Sequence, residues 1–213
     1  GGSGVPSGLS NVRAIYSTFG AFAALKEDGT VAAWGSSSYG GSGVPSGLSN
    51  VRAIYSTFGA FAALKEDGTV AAWGSSSYGG SGVPSGLSNV RAIYSTFGAF
   101  AALKEDGTVA AWGSSSYGGS GVPSGLSNVR AIYSTSGAFA ALKEDGTVAA
   151  WGDSSYGGSG VPSGLSNVRA IYSTDSAFAA LKEDGTVAAW GSTSSGGSGV
   201  PSGLSNVRAI YST

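Results

Sequence analysis

The sequence of 213 residues contains no cysteine, no histidine and no methionine. Without cysteine there is no disulfide framework, and without cysteine and histidine the usual ligands of zinc, copper and haem iron are missing. A serine–histidine catalytic pair is excluded for the same reason. Because a reading frame begins with methionine, its absence predicts a chain that was processed, trimmed or taken from a longer protein.

The chain also has no large excess of charge of either sign, because it contains 11 basic and 12 acidic residues and its net charge is −1. We therefore predict no nucleic-acid partner, because no basic field exists to attract one. Long hydrophobic runs are missing as well, so we predict no membrane insertion. Glycine is abundant, with 38 residues, but 41% of the chain is apolar. This composition favours many short strands joined by turns over a disordered chain.

The most informative feature of the sequence is an internal repeat with a period of 39 residues. The first three units are identical, and the final segment repeats the first 18 residues without a change. We interpret the chain as a single repeat domain over residues 1–213. Its parts are the units 1–39, 40–78, 79–117, 118–156 and 157–195, and a half unit 196–213.

Each unit predicts an antiparallel sheet. Runs at 12–18, 21–27 and 30–34 are rich in apolar residues, and Asp28-Gly29 between two of them is a strong hairpin signal. If both turns contain two residues, Ala23 lies opposite Tyr16 on one neighbouring strand and opposite Trp34 on the other. The same assumption places Arg13 opposite Lys26. A further short edge strand is predicted at 4–6, where proline is tolerated.

Both faces of the predicted sheet are apolar, because bulky side chains lie beside alanines on each. A sheet with one solvent-exposed face alternates apolar and polar residues along its strands. This sheet does not, so both of its faces must be covered. Identical sheets of this kind stack on one another, in a circle as a propeller or in a line as a solenoid or fibre. The predicted fold is therefore all-β and β-propeller-like, with three- to four-stranded antiparallel blades and about five and a half units.

Three segments carry a family resemblance: Asn11-Val-Arg-Ala-Ile, Ala23-Ala-Leu-Lys-Glu-Asp-Gly-Thr-Val and Ala33-Trp-Gly-Ser-Ser-Ser-Tyr-Gly-Gly. They resemble the repeat of the regulator-of-chromosome-condensation family, most of all its bacterial branch of propeller-type β-lactamase inhibitory proteins. The resemblance implies a β-propeller. Family members have seven blades and functions that range from nucleotide exchange to enzyme inhibition. Their contact residues lie in loops that differ here, so no site residue is transferred.

Few side chains qualify for chemistry. Glu27 and Asp28 recur in every unit, but they lie on a hairpin turn, where aspartate is favoured for its bonds to the backbone. Two adjacent acids also make a poor calcium cage. We therefore predict no catalytic residue, no metal site and no cofactor, and we expect a protein that is not an enzyme.

The units differ only in two loops, at unit positions 19–20 and 35–39. In an up-and-down sheet both loops emerge at the same end, so variation gathers on one rim. One interpretation is a binding face with exposed aromatic anchors; the other is that loops simply tolerate drift. The candidate binding residues are Phe19, Phe58, Phe97, Tyr39, Tyr78, Tyr117, Tyr156, Asp153 and Asp175.

Three functions are compatible with this pattern. The first is a structural protein that assembles by strand or blade exchange into an extracellular fibre or surface layer. Its surplus half unit has three interpretations: a strand that mediates self-association on a neighbour's open edge, the end of a segment from a longer array, or a frayed terminus. The second is a propeller that binds a protein or glycan through the loop face. The third is a designed repeat without a biological task. For the first, we expect a location outside the cell or on its surface.

Overall fold

The computed structural model describes residues 4–212. Within this range fifteen strands form five three-stranded antiparallel sheets, each in the order first, second, third strand, with short 3₁₀ turns and no α-helix. The all-β prediction and the 39-residue period are confirmed. The strands are β1 (Val12–Ser17), β2 (Ala21–Lys26), β3 (Val31–Gly35), β4 (Val51–Ser56), β5 (Ala60–Lys65), β6 (Val70–Gly74), β7 (Val90–Ser95), β8 (Ala99–Lys104), β9 (Val109–Gly113), β10 (Val129–Ser134), β11 (Ala138–Lys143), β12 (Val148–Gly152), β13 (Val168–Ser173), β14 (Ala177–Lys182) and β15 (Val187–Gly191).

The first hairpin of each unit has the predicted register. Tyr16 lies opposite Ala23 and Ile15 lies opposite Ala24. The turn contains two residues, because the Thr18 amide donates to the Ala21 carbonyl at 3.0 Å. Phe19 and the following glycine are therefore presented at the tip of the turn.

The predicted register of the second hairpin is wrong by one residue. The Lys26 amide donates to the Thr30 carbonyl at 3.0 Å, so the loop contains three residues, and the left-handed Gly29 (φ +76°) closes it. A loop of this length is the common alternative to a two-residue turn. As a result Phe22, not Ala23, lies opposite Trp34. A slip of one residue moves a side chain to the other face, so Trp34 shares a face with Phe22.

Two further expectations are wrong. A bulge in β1 leaves Val12, not Arg13, opposite Lys26. The Arg13 guanidinium instead donates to the Arg52 carbonyl in the next unit, which removes the expected repulsion between two cations. Residues 4–6 form no strand, so each sheet has three strands and not four.

Consecutive sheets stack face to face, and the hydrophobic core lies between them. Sheet 1 contributes Ala23 and Leu25 to the first of these interfaces, and sheet 2 contributes Ile54, Phe61 and Trp73. Small alanines on one face leave room for the large rings of the next. Along residues 4–212 the arrangement occurs four times, once for each pair of consecutive sheets. The interior sheets are thus covered on both sides, as their composition predicts.

The stack has an uncovered first face. The side chains of Ile15 and Phe22 on sheet 1 are 58% and 46% exposed, whereas the equivalent Ile54 and Phe61 are 3% and 0% exposed. The first strands of consecutive sheets, such as β1 and β4, lie beside one another. This places the first strands innermost, as in a propeller, but sheet 5 does not cover sheet 1.

Candidate functional site

The aromatic residues of the two variable loops lie together at one end of the sheets, as the sequence predicts. Phe19 and Phe58 are stacked with ring centroids 4.6 Å apart, and Phe58 and Phe97 are stacked at 4.5 Å. Tyrosines from the 3₁₀ turns flank them, so that the ring of Tyr39 is 5.5 Å from Phe19. We call this row the aromatic strip. Its members are Phe19, Tyr39, Phe58, Tyr78, Phe97 and Tyr117.

Main-chain hydrogen bonds between units set the spacing of the strip. The Phe19 amide donates to the Phe58 carbonyl and the Phe58 amide donates to the Phe97 carbonyl, both at 2.9 Å. The series continues through Ser136 to Asp175 at 2.8 Å for each bond. Successive turn tips are therefore joined as in a parallel ladder with one residue from each unit. The rings stack because this backbone ladder places identical side chains one above the next.

A threonine in each full unit holds the tip of the first hairpin and the following 3₁₀ turn in a fixed relative position. The Thr57 hydroxyl donates to the Tyr78 carbonyl at 2.8 Å and accepts from the Ala60 amide at 3.1 Å. Thr57 is buried, and the bonds of its hydroxyl connect the tip of the first hairpin with the 3₁₀ turn that carries Tyr78. Sequence reasoning did not identify this residue, because threonine next to a turn has many roles.

The spacing of the strip limits what it can bind. Carbon atoms in contact lie about 3.5–4 Å apart, so rings at 4.5–4.6 Å leave no room for a sugar or base between them. Phe58 lies between two stacked phenylalanine rings, which cover both of its faces. Phe19, at 71% exposure, and Phe97, at 37%, are the most open of the three phenylalanines. The strip therefore presents apolar ring surface and no gap between its stacked phenylalanines.

The remaining candidate residues make local bonds. Asp153 caps the turn Ser154–Tyr156, and its Oδ1 accepts from the Ser155 amide at 2.7 Å. Asp175 accepts hydrogen bonds from the hydroxyls of Ser136 and Ser176. Tyr156 lies over Gly137, in the unit where Ser136 takes the place of phenylalanine. The structure therefore brings the six aromatic residues into one strip and leaves Asp153, Asp175 and Tyr156 in the polar loops beyond it.

The repeated acidic residue belongs to a turn. Asp28 Oδ1 accepts hydrogen bonds from the Thr30 hydroxyl at 2.6 Å and the Thr30 amide at 3.0 Å. These bonds lower the pKa of Asp28 to about 2, so the carboxylate stays ionised. Asp28 and Lys26 form an exposed ion pair at 3.4 Å. Among residues 4–212 no three potential metal ligands cluster, and no helix in that range has the length and apolar character needed to cross a membrane.

The two ends of the stack form a second candidate site, which sequence reasoning did not place. We call Ile15, Phe22 and Trp34 on sheet 1 the end face. At the other end the half unit lies beside sheet 5 and leaves an apolar groove of about 180 Å³, the end groove. Its lining includes Tyr172, Ala177, Ala179, Gly196, Ile210 and Tyr211, together with serine and threonine residues of the adjoining turns. The surplus half unit in the sequence was the signal for this end of the molecule.

Solved structures with a similar fold are propellers and related receptor domains. The chain has 22% identity and a TM-score of 0.59 with the ectodomain of the receptor kinase CR4 from Physcomitrella patens, with 89% of this chain and 53% of that one covered. Prp20p from Saccharomyces cerevisiae has 18% identity and a TM-score of 0.56, with 88% of this chain and 59% of that one covered. Yeast RCC1 (Prp20) bound to Kap60 has 19% identity and a TM-score of 0.58, with 92% of this chain and 60% of that one covered.

These likenesses show the fold, which is an RCC1-type propeller repeat. The chain spans 53–60% of the length of these structures. The resemblance to the inhibitory-protein branch stays a prediction. Comparison with protein-family models gives no match, and comparison with curated protein sequences gives none either.

Proposed function

We propose that the chain is a non-catalytic structural protein that associates with further copies of itself through the ends of its sheet stack. The observation that carries this proposal is the exposure of Ile15 and Phe22, whose equivalents Ile54 and Phe61 are buried. Burying a side chain of this size contributes about 1.5–3 kcal/mol. The end face therefore has a driving force for association.

The end groove has the chemistry that complements this face. Internal interfaces pair the alanine-rich side of one sheet with the phenylalanine and tryptophan of the next. Sheet 5 presents the alanine-rich side at Ala177 and Ala179, and sheet 1 presents the aromatic side at Phe22 and Trp34. The two ends of one chain are thus the two halves of the interface that already occurs four times in the described part of the chain.

Association through unlike ends is heterologous, and such contacts build rings or open filaments. An open filament suits a fibre or surface layer outside the cell, which is the form of assembly we propose. The absence of histidine and cysteine from the sequence and the turn role of Asp28 support a function without catalysis.

The test is the solution mass of the chain as a function of concentration. Wild-type protein is expected to form species larger than one chain as concentration rises. Phe22→Glu is expected to stay folded, because Phe22 is half exposed, and to shift association to at least tenfold higher concentration. Phe19→Glu is the matched control, since Phe19 is more exposed and lies outside the end face.

Two results would contradict the proposal. One is a wild-type chain that stays a single-chain species at every concentration reached. The other is association that Phe19→Glu weakens and Phe22→Glu leaves intact, because the aromatic strip would then be the contact surface.

A second function is favoured by the aromatic strip, namely the binding of a protein by the loop face. A structure of Prp20p is described with its binding to Gsp1p and histones, so a propeller of this fold does bind proteins. The covered ring faces make a glycan a poorer fit. Phe58→Ser with Phe97→Ser is the test, since Ser136 shows that serine is accommodated at this position. Equal binding of wild type and double variant on a protein array would contradict this function.

A further inference from the structure

We infer that the junction between two copies is a hybrid sheet, in which residues 207–212 of one copy replace β1 in sheet 1 of the next. This inference rests on the proposed association and names the mode of contact. It starts from an identity in the sequence: residues 196–213 and residues 1–18 are the same 18 amino acids. Either segment can therefore serve as the first strand of the same sheet.

The half unit is already docked on sheet 5 as a first strand. The Val207 amide donates to the Gly185 carbonyl at 3.0 Å, as the Val51 amide does to the Gly29 carbonyl at 3.0 Å. The Arg169 guanidinium donates to the Arg208 carbonyl at 2.8 Å, which repeats the bond between units two and three. The position of segment 207–212 relative to β13 thus reproduces that of each first strand relative to its predecessor.

Within the described residues, segment 207–212 is not paired with a hairpin, as the first strand of each full unit is. Residues 207–212 form no ladder in the described structure, and Tyr211 is 92% exposed. The end groove lies where the next sheet would place its aromatic rings. A Cβ atom on Gly40 would meet Phe61 at 2.8 Å, but on Gly196 it would meet nothing within 4 Å. The surface at Gly196 is therefore open to a phenylalanine ring, in the way that Phe61 packs on Gly40.

The hairpin β2–β3 of a second copy fits the end groove at Gly196. Its Phe22 would pack on Gly196, and its Trp34 would donate to the Gly196 carbonyl, as Trp73 donates to Gly40 at 3.0 Å. The β1 strand of that second copy has to leave, because two identical strands cannot occupy one position. The pairing of Ala14 with Leu25 is then replaced by the same pairing from Ala209. The ladder is conserved, and burial of Phe22 and Trp34 is gained.

A disulfide that locks β1 in place tests the exchange. Val12 and Lys26 are strand partners, and the chain contains no cysteine of its own. For Val12→Cys with Lys26→Cys, oxidation is expected to abolish association and reduction to restore it. The matched control is Val51→Cys with Lys65→Cys, the same pair in unit two, for which oxidation should leave association unchanged.

A second measurement identifies the new neighbours. Chains carrying Val207→Cys and chains carrying Lys26→Cys are mixed and oxidised, and a mixed disulfide between them is expected. Lys65→Cys replaces Lys26→Cys as the control, since its partner Val51 is in place. Association that persists in the locked variant, with no mixed disulfide, would overturn strand exchange and leave the proposed function standing. Wild-type chains that never associate would overturn both.

Discussion

At the scale of single residues, the glycine that opens each of units two to five meets two demands at once, a left-handed backbone and close packing of a phenylalanine ring. Gly40 has φ +92°, and a Cβ atom there would lie 2.8 Å from the ring of Phe61. Gly196 has nearly the same backbone angle, φ +94°, but open space around it. The chain therefore contains the same left-handed glycine with and without a neighbouring sheet.

This pair gives a prediction about packing. Gly196→Ala is expected to cost about 1–2 kcal/mol for a left-handed alanine. Gly40→Ala should cost about 1–3 kcal/mol more, because Phe61 must also shift. The free energy of unfolding from urea titrations measures both. Equal losses in the two variants would contradict the tight packing of Phe61 on Gly40.

The acidic turns give a prediction about pH. The pKa values of Asp28, Asp67 and Asp106 are lowered to about 2 by bonds from a threonine hydroxyl and amide, and those of Asp145 and Asp184 are lowered in the same way. A carboxylate whose pKa is lower in the folded state contributes stability above the unfolded value of 3.8, and this is lost as pH falls toward 2.

Replacing all five aspartates by asparagine should therefore flatten the dependence of stability on pH between about 4 and 2. Asparagine keeps an oxygen for the threonine but loses the charge. Urea midpoints measured across pH 2–6 compare the two proteins. An unchanged slope in the five-fold variant would show that other groups cause the acid dependence.

At the scale of the element, each hairpin is fixed by its turn, and the turns explain what the sequence could and could not predict. The two-residue turn at Phe19 was predicted correctly, and with it the pairing of Tyr16 with Ala23. The loop at Asp28 was assigned one residue too few, because Asp-Gly occurs in both two- and three-residue loops. Only the hydrogen bond from Lys26 to Thr30 decides between them.

The same limit applies to the candidate site. The up-and-down order of the strands predicted that both loops share one end, and the six aromatic residues of the strip do lie there. The contact distances within the strip depend on the ladder between units, which no pattern within one unit reveals. Ile15 and Phe22 are exposed because no other sheet of the described residues covers sheet 1, whereas the equivalent Ile54 and Phe61 are buried. Since the residue types are identical in the two places, the sequence of a unit could not predict this difference.

The threonine between the two loops gives a prediction at this scale. Thr57→Val keeps the shape but leaves the Ala60 amide and the Tyr78 carbonyl without the hydroxyl. The expected loss is about 1–3 kcal/mol of unfolding free energy. Thr57→Ser keeps the hydroxyl and should lose less. A serine variant that is as unstable as the valine variant would point to the methyl group instead.

At the scale of the whole molecule, stability is distributed over repeated contacts. Each interior sheet contacts its predecessor and its successor through the same set of residues. In such a chain, stability is the sum of the intrinsic terms of the units and the terms of the interfaces between neighbours. The five sheets therefore stabilise one another in sequence.

Deletion of residues 79–117 removes one unit and one interface, and the new junction of Tyr78 with Gly118 has the same sequence as the native junction of Tyr117 with Gly118. The shortened chain should fold with four sheets, and both its unfolding free energy and its urea m-value should fall, since m follows the surface exposed on unfolding. Circular dichroism during urea titration measures both. A shortened chain with unchanged values would show that the deleted unit does not take part in the cooperative fold.

The sameness of the four interfaces also bears on how the chain finds its fold. The core side chains of the sheets are the same at every interface, so they do not tell a unit which neighbour is its own. The choice rests on tether length, and doubling the length of a flexible tether costs only about 0.6 kcal/mol. A unit that skips one neighbour therefore loses little at first. We expect refolding to pass through skipped arrangements that must come apart before the stack is complete.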